Sequence, residues 1–205
     1  MSQTHSQIAT TSNYRMVDDE LVQRIEESFD KDDDELQAVL PELLAEIEGN
    51  ADELVKSNPA IVSRILDRMG DMEIAPFVSE HPDTADQFQE LLWSGVRTVA
   101  DGNEAVEEQI NEDIAVNFEA EDCPMTGHVE VVSDDTTVTG GAGVLDDPDI
   151  SITGPADVLV GLITGSVDPI QGFMQQQYQM DGPVQKGTRL APIMNTLSEQ
   201  AQATQ

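Results

Sequence analysis

Residues 149–197 read DISITGPADVLVGLITGSVDPIQGFMQQQYQMDGPVQKGTRLAPIMNTL. Ile150 and Ile152 alternate with Ser151 and Thr153, the two-residue period of a half-buried strand, and Gly154-Pro155 stops it. Pro155 suits a first helical position, and Val158, Leu159, Leu162 and Ile163 recur at helical spacing until Gly165. Asp168-Pro169 repeats the device, an acidic cap before a proline, and opens a helix with Ile170, Phe173 and Met174 on its apolar face. Tyr178 to Asp181 reads as a second strand. Gly182-Pro183 then starts a last helix, on which Val184, Gly187, Leu190, Ala191, Met194 and Leu197 form one stripe. Pro192 lies inside it, and an internal proline removes a backbone hydrogen bond and crowds the preceding turn. The spacing therefore predicts a kink between Thr188 and Pro192 and a following segment free to swing as a lid.

Outward from this stretch the chain is acidic throughout. It has 205 residues, 9 Lys and Arg against 41 Asp and Glu, and a formal net charge of −32. Its apolar content of 39% supports a core of one large or two small domains. So much like charge drives self-repulsion, which concentrated salt removes by shortening the Debye length to about 3 Å at 1 M. An acid-rich, lysine-poor composition is that of a protein working in molar cytoplasmic salt, as in extreme halophiles. With no basic cluster, phosphate backbones and anionic membranes have nothing to bind. No apolar run approaches the roughly 20 residues of a membrane span, and Met1 to Tyr14 lacks the apolar centre of a signal peptide, so a cytoplasmic location is expected. The single cysteine, Cys123, has no partner for an internal disulfide.

Residues 1–16 are Ser-, Thr- and Gln-rich and aperiodic, a tail. Three one-sided helices are expected next: Leu21, Val22, Ile25 and Phe29; then Leu36, Val39, Leu40, Leu43, Leu44 and Ile47; then, from Asn58-Pro59, Ile61, Val62, Ile65, Leu66 and Met69. They define a bundle over 17–80. A longer helix from Thr84 to Ala100 points Phe88, Leu91, Leu92, Val96 and Val99 inward and carries Trp93 as a core anchor, and Ala105 to Ile110 gives one more segment. The period then changes to two. Ile114, Val116 and Phe118, then Val129 and Val131, then Val138 mark three antiparallel strands, so the sheet reaches about five. The fold class is α+β: a mostly antiparallel sheet of about five strands, covered on one face by helices and preceded by an all-α segment, with the sheet domain over 81–205.

Taken together, the I-x-I strand, the apolar helix closed by Thr164-Gly165, Asp168-Pro169 with Phe173 four residues on, the strand ending in Gly182 and the Arg189-Leu190 pair resemble the sterol carrier protein type 2 (SCP-2) family of lipid-binding domains. Gln176-Gln177 stands where that family usually has Gly-Lys, and Pro183 where it has an acid, so ligand contacts there do not carry over. The resemblance implies a hydrophobic tunnel between sheet and helices that takes lipid. Its wall is expected from Leu159, Ile163, Phe173, Met174, Tyr178, Leu190, Met194 and Leu197.

No catalytic or metal constellation competes with this reading. His5, His81 and His128 share no helix face, and Cys123 has no neighbouring base. Asp30, Asp32 and Asp34 begin like a calcium loop, but Glu35 stands where its turn needs glycine. Gly140-Gly141-Ala142-Gly143 lacks the helix and Lys-Ser/Thr of a phosphate loop, so these glycines mark a bend or bulge in the sheet. The expectation is a non-catalytic protein without cofactor or metal. It binds and transfers a lipid, isoprenoid or fatty acyl molecule, without stable membrane insertion. Burying a dozen methylenes at roughly 0.8 kcal/mol each gives about 10 kcal/mol gross, and association costs of about 4 kcal/mol or more leave an affinity that permits release. The alternative is an interaction module with a filled core, whose 17–80 helices bind a protein partner.

Overall fold

The computed structural model describes residues 19–48, 54, 57, 58, 61, 64, 65, 68 and 73–203. The expected tail, and Val62, Leu66 and Met69 of the expected third helix, lie outside the described residues. The element order is α1 (Asp19–Ser28), α2 (Asp33–Glu48), α3 (Ile74–Glu80), α4 (Pro82–Ala100), α5 (Glu104–Glu107), β1 (Ile114–Ala120), β2 (Thr126–Val132), β3 (Thr137–Ala142), β4 (Ile150–Gly154), α6 (Ala156–Thr164), α7 (Pro169–Met174), β5 (Gln179–Asp181) and α8 (Val184–Ala203). The strands form one sheet in the order β3-β2-β1-β4-β5. β1, β2 and β3 make an antiparallel meander, β4 lies parallel to β1, and β5 returns antiparallel to β4. This is the expected α+β class, with one parallel pair that period-two alternation does not reveal.

Alternation aims one face of the sheet inward. Ile114, Val116 and Phe118 of β1, Val129 and Val131 of β2, Val138 of β3 and Ile150 and Ile152 of β4 are all buried. Helices α4, α6 and α8 cover them, and the other face carries polar groups such as Glu130, Ser151 and Thr153, all partly exposed. One exception on that face is buried Asn117. Its amide donates to the Leu145 carbonyl at 3.0 Å and its oxygen accepts from the Leu145 N–H at 2.8 Å, folding the β3–β4 loop against the sheet.

The glycines of β3 correct the expected bend. β2 and β3 pair in unbroken register through Val129↔Gly140 and His128↔Gly141, with no bulge. At Gly140 an added Cβ would lie 2.4 Å from the Trp93 ring. The missing side chain lets α4 press a fully buried indole onto the sheet.

Caps set the helix limits. The Asp168 carboxylate accepts from the Gln171 N–H at 2.7 Å, with Pro169 as the first residue of α7. Asp32 does the same for α2, accepting from Glu35 N–H at 2.9 Å. Pro155 takes the N-cap place of α6 rather than its first turn. Gly165 ends α6 at φ 81°, where its Cβ would also strike Ser198 of α8. Helix α8 runs on through Pro192 as one twenty-residue helix, so the segment after the proline, where a kink and a swinging lid were expected, stays helical. Pro192 faces outward, where its ring meets solvent, while Ala191, Ile193 and Met194 are buried.

The core runs unbroken from the N-terminal helices into the sheet. Leu36 and Leu44 of α2 belong to the same apolar cluster as Phe88, Trp93, Val116 and Leu159. A second, smaller cluster of Leu21, Ile25, Leu43, Ile47, Leu54 and Ile61 lies among the N-terminal helices.

Candidate functional site

Between the β1-β4-β5 side of the sheet and helices α6, α7 and α8 lies an open-mouthed apolar cavity of about 120 Å³. Phe118, Ile150, Ile152 and Met180 come from the sheet, and Leu162 and Ile163 from α6. Gly187, Leu190, Ala191 and Met194 come from α8. Pro169, Ile170, Phe173, Tyr178, Val184 and Thr188 complete the lining. Ile170, Phe173 and Val184 are 54%, 42% and 54% exposed, so the mouth itself is apolar.

Local sequence explains the void. Strand β5 has only three residues, and α7 only six. The Tyr178 hydroxyl donates to the Pro169 carbonyl at 2.7 Å, and the Phe173 and Tyr178 rings lie 6.1 Å apart at 47°. Together these hold α7 beside the cavity rather than across it. Opposite, α8 turns Gly187 and Ala191 toward the sheet, residues too small to fill the gap. Its first turns are fixed from the other side. Lys186 Nζ lies 2.7 Å from Asp149 Oδ1 and donates to the Asp113 carbonyl at 2.9 Å, and Arg189 Nη1 lies 2.6 Å from Glu112 Oε1. The Lys186 ammonium and the Ala115 N–H hold the Asp149 carboxyl below its usual range; Ser133, through N–H and hydroxyl, does so for Asp113.

No Asp, Glu, Lys, Arg or His lines the cavity. Burial, and then the nearby Asp168 charge, push the Tyr178 phenol up, so it stays protonated across the neutral range. The wall is thus suited to hold an apolar body and supplies no group to move a proton. Burial likewise raises the Cys123 thiol pKa, away from the nucleophilic thiolate. Among the described residues no group of three or more His, Cys, Asp and Glu could hold a metal ion, and no helix is long and apolar enough to cross a membrane.

Five of the eight residues expected in the wall come together there: Ile163, Phe173, Tyr178, Leu190 and Met194. The other three stand elsewhere. Leu159, one turn before Ile163, is fully buried in the main core, and Leu197, one turn past Met194, is 3% exposed in the same cluster. Met174, the last residue of α7, is 77% exposed and faces solvent instead of the cavity. The strand residues Phe118, Ile150 and Ile152 carried a signal in their alternation, but only the parallel β1-β4 pairing brings them beneath α8. Gly187 and Ala191 were legible as part of the stripe; their smallness was the clue to a gap.

Residues 114–195 match the model of the SCP-2 sterol transfer family. Among solved structures, a sterol carrier protein 2 shares 13% identity over 56% of this chain and 95% of its own, with a TM-score of 0.44. Sterol carrier protein 2 from Yarrowia lipolytica in its apo form shares 17% identity over 54% of this chain and 92% of its own, with a TM-score of 0.41. The inverting sec-alkylsulfatase Pisa1 from a Pseudomonas species shares 10% identity over 86% of this chain and 29% of its own, with a TM-score of 0.40. No curated protein sequence matches the chain.

Proposed function

We propose that the sheet half of this chain is a non-catalytic container that binds a lipid or other long apolar molecule and passes it on, in a protein adapted to a salt-rich cytoplasm. The observation that carries the reading is the uncharged cavity, lying within the residues that match the SCP-2 sterol transfer family. In a chain where one residue in five is acidic, a wall of sixteen residues without one acid is the property of a site kept for apolar cargo. Burial drives binding at roughly 25 cal/mol per Å². The apolar mouth at Ile170, Phe173 and Val184 gives cargo a path that never crosses a charged rim.

The test is displacement. Delipidated protein in molar KCl is expected to bind a fluorescent long-chain probe saturably and to release it to competing lipid. Ala191→Phe, which fills the cavity from α8, should weaken that binding at least about tenfold while leaving the helix content unchanged. If acyl, isoprenoid and sterol probes all fail to saturate, the container reading is lost. The exposed apolar row of Ile170, Phe173, Met174 and Val184 would then favour docking of a protein partner instead.

A further inference from the structure

Beyond residue 100 the chain has only two basic residues, Lys186 and Arg189, against nineteen acidic ones. Both stand on α8, the helix that walls the cavity, and both are committed elsewhere: Lys186 to Asp149 and the Asp113 carbonyl, Arg189 to Glu112. The cavity also has two hydroxyls, and each spends its one proton on the backbone. Tyr178 donates to the Pro169 carbonyl at 2.7 Å and Thr188 to the Val184 carbonyl at 2.9 Å. A hydroxyl so engaged keeps lone pairs and has no proton to give. The acids next in the chain to wall residues Pro169 and Met180 are Asp168 and Asp181. The site can therefore accept a hydrogen bond, but has neither a cation nor a free donor for an anion.

Resting on the container reading above, we propose that this cavity selects uncharged long-chain molecules whose polar end donates a hydrogen bond, long-chain alcohols as a class, over carboxylates of the same chain length. A carboxylate brought inside would lose its water without a partner. It must stay at the mouth, which draws the chain outward, and each methylene left outside weakens binding about fourfold. An alcohol keeps its chain in and donates to the oxygen of Tyr178, which is buried. Salt does not erase this preference, because screening weakens repulsion between charges but does not replace lost hydration.

The experiment uses the full chain in molar KCl near neutral pH, with the neutral probe N-phenyl-1-naphthylamine in the cavity and dodecanol or dodecanoate as competitor. Dodecanol is expected to displace the probe at roughly tenfold lower concentration than dodecanoate. Thr188→Lys, which sets a cation at the exposed rim, should bring that ratio to about one or invert it. Equal or stronger competition by dodecanoate against the wild-type chain overturns the selectivity while leaving the container intact. Absence of saturable probe binding overturns the container, and the selectivity with it.

Discussion

The N-terminal helices and the sheet half start from the same raw material, one-sided helices with apolar stripes, and end differently. In the first region Leu21 and Ile25 of α1 meet Leu43 and Ile47 of α2, with Leu54 and Ile61 closing the cluster. Charges stay outside as pairs, such as Arg24 with Glu46 at 2.6 Å. The hollow left there, about 60 Å³ among Phe29, Leu36, Phe77 and Phe88, also admits Arg68. In the second region the helices lie over a sheet, held by polar ties at Tyr178, Lys186 and Arg189, and the larger hollow admits no charge. Helices packed on helices can slide until ridges fill grooves. Helices tied to the ends of strands cannot, so unfilled apolar space persists.

The largest expected effect spans both regions. With a net charge of −32, cooperative thermal unfolding should be lost in dilute buffer and restored in molar KCl. A midpoint that is flat or falling with KCl would refute the adaptation to salt.

Next in size is the contact that fixes α4 to the sheet. Gly140→Leu would drive a side chain into the Trp93 ring and should cost at least about 3 kcal/mol by denaturant unfolding, since neither partner has room to move. A cost below about 1 kcal/mol would mean that α4 does not press on β3.

A paired substitution then separates core from cavity wall. Leu159→Ala should cost about 2–5 kcal/mol in stability and leave probe affinity unchanged. Met194→Glu should differ in the binding readout, placing a carboxylate against the cargo and weakening probe binding by tenfold or more. If both variants lose affinity alike, the wall extends deeper than the structure places it.

A division at residue 80 is a further proposal, and truncation tests it. A chain starting at His81 should still unfold cooperatively, at a clearly lower midpoint for want of the cover that Leu36, Leu44, Ile74, Phe77 and Val78 give the shared core. Loss of any cooperative transition would make the two regions one folding unit.

The smallest effect is at the α8 anchor. The Asp149 and Asp113 carboxyls titrate below their usual value of 3.8 in the folded chain. Their stabilisation is therefore present above about pH 4 and lost as pH falls through the lower folded values. Lys186→Met should cost less than about 1 kcal/mol at neutral pH, because the pair is partly solvated. The gap from wild type should close below about pH 4. A gap that does not change with pH would mean that Lys186 acts through packing alone.

Much of this was legible in the chain. Asp168-Pro169, Gly165 and the Ile150-Ile152 alternation each state a local backbone preference, and each became the element it announced. The stripe of α8 was equally plain, and so was the uncharged character of the residues that now line the cavity. Such features depend on neighbours within about four residues, which is the range over which helix and strand periods act. Tertiary structure decided the rest. It set β4 parallel to β1 and so brought Phe118 under α8. It gave Gly140 its purpose by bringing up Trp93 from 47 positions earlier in the chain. It also kept Pro192 on the outer side of an unbroken helix, and separated Met194 in the wall from Leu197 in the core and Met174 in solvent. A cavity is a gap between elements, and its shape follows from how far apart they are held, a distance that no local pattern of residues encodes.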